Sequence, residues 1–436
     1  MSHLQDLSLV EQAAAIRRGD LDPAELLDAT LSRITTRDPY LNSVVDTFPE
    51  RSKEMLASNP DGPLRGVPVV LKDMFSLPWR AMRNGTNTEV MAASASGPFR
   101  RVRDAGAVVA GIANQHLLGV GGTGLESAYG IHRNPWHLDH LPGGSSGGSA
   151  AAVSARLVAG SLGSDSGGST RLPAAFCGVV GLKFTFRAIP YDGYFGAGTM
   201  LSAPGTFGRD VADTRLLSGA ILQRPLPQTD ATELRVGVAE ALWDDVHPDV
   251  ADLCEAALTT AAWSRSKIDI SHATAAMAAL GALLMGVQPA PMPAGLRRQL
   301  DSGGAARVLA TAAMPAWAYG RADRLRTVWR QTFAAAFGEV DLLAWPTIAA
   351  PAPRIDAPFA AFARRGTIHI DQANIGLTVL ANITGVPAIS VPVGLVAGLP
   401  VALQLLAPWG TEGRLLDAAA LIEAGTGTLG VPTGIT

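Results

Sequence analysis

Short apolar runs separated by polar turns are the first regularity along the chain. Residues 67–71 (VPVVL) and 107–111 (AVVAG) are apolar at consecutive positions and rich in β-branched side chains. A strand with one wet face alternates, so runs apolar on both faces predict strands of a sheet covered on both sides. Residues 179–183, 342–345, 389–393 and 401–406 read the same way. Between them lie helical signals. Asp22 supplies an N-cap acceptor, Pro23 suits the first helical position, Glu25 stands where a capping box needs it, and Leu26, Leu27, Leu31 and Ile34 follow at helical spacing. A second helix is predicted over residues 149–159, and His247 before Pro248 marks another helix start. The alternation predicts an α/β fold. Proline-rich stretches at 224–228 and 288–293 mark irregular connections too short to be flexible linkers, and no fixed-period repeat is present.

Composition narrows the class. The 436 residues are 47% hydrophobic and only 17% charged, with a mean hydropathy of +0.20, which predicts a large folded core of one or two domains. A net charge of -3 offers no clustered positive field for a nucleic-acid backbone, so DNA and RNA are not expected as partners. Cys177 and Cys254 have no metal-ligand spacing and are expected to be free, buried thiols. The N-terminus lacks a basic start and an apolar core, which makes the cytoplasm the expected location. The most apolar stretch, 273–287, falls short of the roughly 20 residues that span a bilayer, so a buried or pocket-lining helix is expected instead of a membrane span.

Two features point to chemistry. Residues 142–149 (PGGSSGGS) and 164–171 (SDSGGSTR) are glycine–serine loops flanking a helix and a short strand, and consecutive glycines let backbone N–H groups converge on one point, as an oxyanion requires. The other is Lys72. Only four of the chain's 35 basic residues are lysines (Lys53, Lys72, Lys183, Lys267), and Lys72 ends an apolar strand. Burial there favours a neutral amine able to accept a proton, a role arginine cannot fill, although pairing with Asp73 would explain the lysine equally well.

The segment 66–73 (GVPVVLKD), both glycine–serine loops and 173–183 (PAAFCGVVGLK) together resemble the amidase signature family, as do 127–130 (SAYG), 134–136 (NPW), 345–347 (WPT), 382–392 (NITGVPAISVP) and 399–404 (LPVALQ). The likeness spans nearly the whole chain and is weakest over 231–330. It implies a single domain with a large twisted mixed β-sheet covered by helices on both faces. Within it, residues 1–62 would be a helical region, 63–222 the core, 240–335 a variable substrate-lining region and 336–436 the rest of the core. The resemblance makes Ser169 the nucleophile, Lys72 the ultimate base and Ser145 a bridging serine preceded by a cis peptide bond. It makes the N–H groups of Ser166, Gly167, Gly168 and Ser169 the oxyanion hole, and Gly121, Gly122, Thr123 and Arg171 candidate substrate contacts. The implied reaction is hydrolysis of an amide or carbamate (urethane) through an acyl-enzyme, with no metal or cofactor and a homodimer left open. Phe184, Leu125-Glu126 and residues 83–86 depart from the family's usual pattern without removing a triad residue.

Other readings compete. Residues 143–147 fit the G-x-S-x-G nucleophile elbow, which needs a strand before it, and 136–142 is a poor one. Ser264 and Lys267 fit S-x-x-K in a polar stretch. A glutaminase subunit of an aminoacyl-tRNA amidotransferase would share every motif but act only with its partner, and an anion-binding protein would use the loops without needing the lysine. Phe75, Met74, Met200, Leu201 and 273–287 are candidates for an apolar pocket or simply for the core.

Overall fold

The computed structural model describes residues 4, 6–58, 60–90, 94–194, 200–270, 313 and 315–435. Thirteen strands occur among them: β1 (Val44–Thr47), β2 (Pro68–Lys72), β3 (Val108–Ala113), β4 (Gly160–Asp165), β5 (Val180–Lys183), β6 (Ala203–Gly208), β7 (Arg235–Val238), β8 (Ser264–Lys267), β9 (Leu342–Pro346), β10 (Phe359–Phe362), β11 (Gly366–His369), β12 (Ala388–Val396) and β13 (Leu399–Leu406). Eleven form one mixed sheet in the order β1-β3-β2-β4-β6-β5-β12-β13-β9-β7-β8, while β10 and β11 pair separately. The expected α/β class and mixed sheet are both present. Pairing is parallel for β3/β2, β2/β4, β9/β7 and β7/β8 and antiparallel elsewhere in the sheet.

The central strands β2, β3, β4, β5 and β6 are buried at every position; in β2 and β3 consecutive apolar residues require it, whereas β4 (GSLGSD) and β6 (APGTFG) are buried by their pairing within the sheet. Helices supply the cover. In the helix Pro23–Arg37 the buried residues are Leu26, Leu27, Thr30, Leu31 and Ile34, as its periodicity predicts, and Asp22 caps the Ala24 N–H. Glu25 is exposed and closes no capping box. His247 is the N-cap of the helix Pro248–Thr260. The helix Gly147–Ser154 starts two residues before the expected one and ends five earlier, because the chain turns at Arg156 (φ 57°) to enter β4. It is buried on all sides and built from small residues, and small side chains let its backbone approach the sheet closely. Its Ser149 hydroxyl donates to the Leu162 carbonyl, and its Ser149 carbonyl accepts from the Ser161 hydroxyl.

Ser264 and Lys267, the S-x-x-K pair, sit on the exposed edge strand β8, with Lys267 paired to Glu240 at the surface. Residues 273–287 and 288–293 lie outside the described residues. Among the described residues no helix is long and apolar enough to cross a membrane, and no cluster of side chains is arranged to hold a metal ion. Cys177 and Cys254 are free and buried, and burial pushes both thiols up.

Candidate active site

Parallel pairing aligns the C-terminal ends of β2 and β4, with Leu71 opposite Leu162, so Lys72 and Ser164 emerge at the same edge of the sheet. The Lys72 ammonium nitrogen lies 2.7 Å from Ser145 Oγ and 2.9 Å from Ser164 Oγ. It is fully buried. Burial brings its pKa down to about 7, against the opposing negative charge of Asp165. Lys72 therefore does not pair with Asp73, whose carboxylate instead receives Arg80 at 2.6 Å and the Tyr129 hydroxyl at 2.9 Å.

Ser145 follows a cis peptide bond from Gly144. The Gly121–Gly124 stretch packs against that bond so closely that a Cβ on Gly144 would fall 2.7 Å from the Gly121 carbonyl oxygen. Gly121 and Gly122 are half-buried beside the site and Thr123 is buried; the Gly122 N–H donates to Asp371 at 3.1 Å. No strand precedes the 143–147 turn, so the nucleophile-elbow reading loses the strand it needs, and the Ser145 hydroxyl meets Lys72 instead of a histidine. Buried His132 beneath this loop is held down to about 3 by burial and by Lys72, hence neutral.

The second loop is tied to the first by the Ser146 N–H, which donates to the Ser169 carbonyl at 3.2 Å. Ser169 itself is half-buried, and its hydroxyl has no hydrogen-bond partner among the described residues. Hydrogen bonds of this kind often tighten only when substrate is bound. The loop wraps the fully buried Asp165 carboxylate, which accepts the Gly168 N–H at 2.8 Å and the Thr170 N–H at 3.2 Å. Burial alone would raise this carboxyl, but the Arg171 charge and its hydrogen bonds hold it well below the usual carboxylate range.

Two expected roles change here. The Gly168 N–H is already engaged by Asp165, whereas those of Ser166, Gly167 and Ser169 have no acceptor among the described residues and remain open to an oxyanion. Arg171 is fully buried and turned inward, with Nε and Nη2 on Asp165 at 3.0 and 2.9 Å, Nη1 on Gln404 at 2.9 Å and Nη2 also on Asn382 at 2.8 Å. A guanidinium so enclosed is taken up by Asp165, Gln404 and Asn382 and ties the loop to the C-terminal half of the chain. Phe75 is buried against Tyr194 in the core, while the Met74 methyl lies 3.3 Å from a Cβ placed on Gly119, a point 3.7 Å from Ser145 Oγ. Leu201 is buried and Met200 half-buried.

Sequence reasoning assigned no role to Ser164, Asp165, Thr378, Asn382 or Gln404. Thr378 and Asn382 lie on the helix Ile370–Thr384: the Thr378 hydroxyl donates to the Gly167 carbonyl at 2.5 Å, and the Asn382 amide donates to Asp165. A Cβ on Gly168 (φ 122°) would fall 2.5 Å from Thr378 Oγ1, so this glycine is required by contact and by conformation. The signal available in the sequence was an acid and a base, Asp165 and Arg171, bracketing the glycine turn.

Comparison with known proteins gives this geometry a setting. A family model described as Amidase matches residues 25–285 and 286–416. The chain is 31% identical to a glutamyl-tRNA(Gln) amidotransferase subunit of Methylococcus capsulatus, across 96% of this chain and 97% of that protein. It is 32% identical to the corresponding protein of Thermus thermophilus, across 95% and 96%. Among solved structures, an amidase superposes with a TM-score of 0.87 at 25% identity, covering 97% of this chain and 100% of the other. A 6-aminohexanoate cyclic dimer hydrolase in complex with substrate gives 0.86 at 25%, covering 99% and 100%. With the family model covering most of the chain and relatives above 30% identity aligned along it, this chain belongs to the amidase signature family.

Proposed function

We propose that the protein is a serine amidase that hydrolyses a neutral, partly apolar or aromatic amide or carbamate with Ser169 as nucleophile, Ser145 as proton relay and Lys72 as base. The observation that carries this reading is the buried lysine 2.7 Å from Ser145 Oγ, brought to a pKa of about 7. A neutral amine accepts the Ser145 proton while Ser145 takes that of Ser169, and the Ser169 oxygen attacks the substrate carbonyl. The N–H groups of Ser166, Gly167 and Ser169 receive the oxyanion. The leaving amine takes up the relayed proton, and water then attacks the acyl-enzyme, giving the acid and restoring Ser169. Gly121, Gly122, Thr123 and Met74 form the adjoining wall. A binding protein would need none of this proton machinery.

A second reading is favoured by the curated relatives, which at 31–32% identity are subunits of glutamyl-tRNA(Gln) amidotransferases. Under it the chain releases ammonia from glutamine within an assembly. The amidase and the cyclic dimer hydrolase, which superpose along nearly the whole chain with TM-scores of 0.87 and 0.86, favour the hydrolase reading. A panel of anilides, primary amides, glutamine and carbamates, given to the purified chain without partner or ATP, separates the two. Turnover of anilides or carbamates supports the proposal; activity confined to glutamine, or appearing only with added partner proteins, supports the second reading. Covalent capture of Ser169 by a fluorophosphonate checks the nucleophile.

A further inference from the structure

The peptide between Gly167 and Gly168 is held at both ends by side chains. Its carbonyl accepts the Thr378 hydroxyl at 2.5 Å, and its N–H donates to Asp165 Oδ1 at 2.8 Å. A peptide unit is planar, so once its two Cα atoms are placed it can only rotate about the line joining them, and a hydrogen bond at each end stops that rotation. Glycine on both sides makes such a clamp necessary. Neither residue has a Cβ to restrict the adjoining torsions, and Gly168 stands at φ 122°, a region that other residues rarely enter. The N–H groups flanking the clamped unit are those of Gly167 and Ser169, which with that of Ser166 are the ones proposed to receive the oxyanion.

Thr378 is itself a fixed post. It is fully buried, and its helix is pinned one residue earlier, where the Leu377 carbonyl accepts both Trp345 Nε1 and Gln404 Nε2 at 2.7 Å. One turn before it, Asn374 Oδ1 accepts the Ala349 N–H at 2.8 Å, and one turn after it, Asn382 holds Asp165. The Thr378 hydroxyl has one proton and two carbonyls in reach, that of Gly167 at 2.5 Å and that of Asn374 at 3.2 Å. The shorter contact takes the proton, so the hydroxyl serves the nucleophile loop and not its own helix.

We propose that Thr378 is a positioning residue for the oxyanion hole: by fixing the plane of the Gly167–Gly168 peptide, it aims the Gly167 and Ser169 N–H groups at the oxygen of the reacting carbonyl. This rests on the amidase reading above. Without the hydroxyl the carbonyl end of the plane is free, and the flanking N–H groups lose their aim. What is lost is stabilisation of a charge that exists only in the transition state. The base is untouched, since Lys72 bonds to Ser145 and Ser164 and not to this peptide.

The test compares the full-length protein with Thr378→Val, Thr378→Ala and Thr378→Ser. The readouts are the second-order rate of Ser169 labelling by a fluorophosphonate against pH, and kcat and KM on an anilide or carbamate that wild type turns over. Thr378→Val keeps the branched shape and loses the hydroxyl. Its labelling rate and kcat should fall about ten- to a hundredfold, with KM within about twofold and the pH inflection unmoved. Thr378→Ser keeps the hydroxyl and should stay within about threefold of wild type on every readout. The final extent of labelling counts folded sites separately from the rate, and if Thr378→Val does not fold, Thr378→Ala decides. If neither hydroxyl-free variant folds, Thr378 is a structural residue and the proposal falls. A folded hydroxyl-free variant with wild-type kcat, a loss confined to KM, a moved inflection, or an equal loss in Thr378→Ser also overturns it. A wild type that is never labelled, or a Ser169→Ala variant that still is, overturns the amidase reading and this inference with it.

Discussion

The Asn382 side-chain amide donates to both the backbone carbonyl and the carboxylate of Asp165, at 2.8 and 2.9 Å, across 217 positions of sequence. It also donates to the Leu201 carbonyl at 3.1 Å, so one buried amide joins the candidate nucleophile loop, the chain entering β6 and the helix Ile370–Thr384. Replacing it by alanine strands several buried acceptors, each costing about 1–3 kcal/mol. Asn382→Ala should lower kcat/KM by about ten- to a hundredfold and reduce the denaturation midpoint, with urea unfolding and turnover measured on the same preparation. A variant as stable and as active as wild type would show that the loop holds itself.

The pH profile follows from Lys72. Its protonated form has no lone pair, so with Lys72 as the proposed base activity should be off below the folded-state value of about 7 and rise to a plateau above it. His132 does not titrate in this range and adds no inflection of its own to the profile. Lys72→Arg keeps the charge but cannot deprotonate at these pH values, and it should cost several orders of magnitude in kcat at every pH. An unchanged profile in that variant would make Lys72 a structural cation only.

Ser169→Ala should abolish turnover while leaving the melting temperature within a few degrees of wild type, since the half-buried hydroxyl has no partner to lose. Residual turnover above about a tenth of wild type, a barrier change below roughly 1.4 kcal/mol, would falsify the nucleophile assignment.

Arg171→Met tests the enclosed ion pair. Both partners have 0% side-chain exposure, and removing one leaves an uncompensated buried carboxylate, which costs about 3–5 kcal/mol. The folded-state value of Asp165 is depressed below its ordinary 3.8, so the stability it contributes is complete above about pH 4 and is lost as pH falls below that. Acid unfolding of wild type should therefore include a contribution below pH 4 that is missing or displaced upward in the variant. If Arg171→Met instead melts as wild type and loses only substrate affinity, Arg171 is a substrate contact after all.

What the sequence made legible was local. Short apolar runs located β2, β3, β5, β9, β12 and β13 to within a few residues, and Lys72 stood out because the chain mostly uses arginine. β6 was not anticipated: its residues 203–208 (APGTFG) carry glycine, proline and threonine, and it is a strand because β4 and β5 pair with it on either side. The surroundings of Arg171 were not legible for a related reason. Its place in the motif suggested a substrate contact, but its orientation is set by Gln404 and Asn382 from the far end of the chain, and no spacing rule links them. Gly168 shows the same limit at smaller scale, since only the fold reveals that Asp165 has already taken its N–H.

The distance in sequence between Arg171 and Gln404, 233 positions, bears on synthesis. Lys72, Ser145 and Ser169 all leave the ribosome well before Asn382 and Gln404 do, and β5 has no β12 beside it until then. At about 5–20 residues per second, the nascent chain carries Ser169, the proposed nucleophile, for roughly ten to fifty seconds before the last partners of the loop emerge. Through that interval the Asp165–Arg171 pair lacks two of its supports, and the loop around Ser169 closes only once the residues carrying Asn382 and Gln404 have been made.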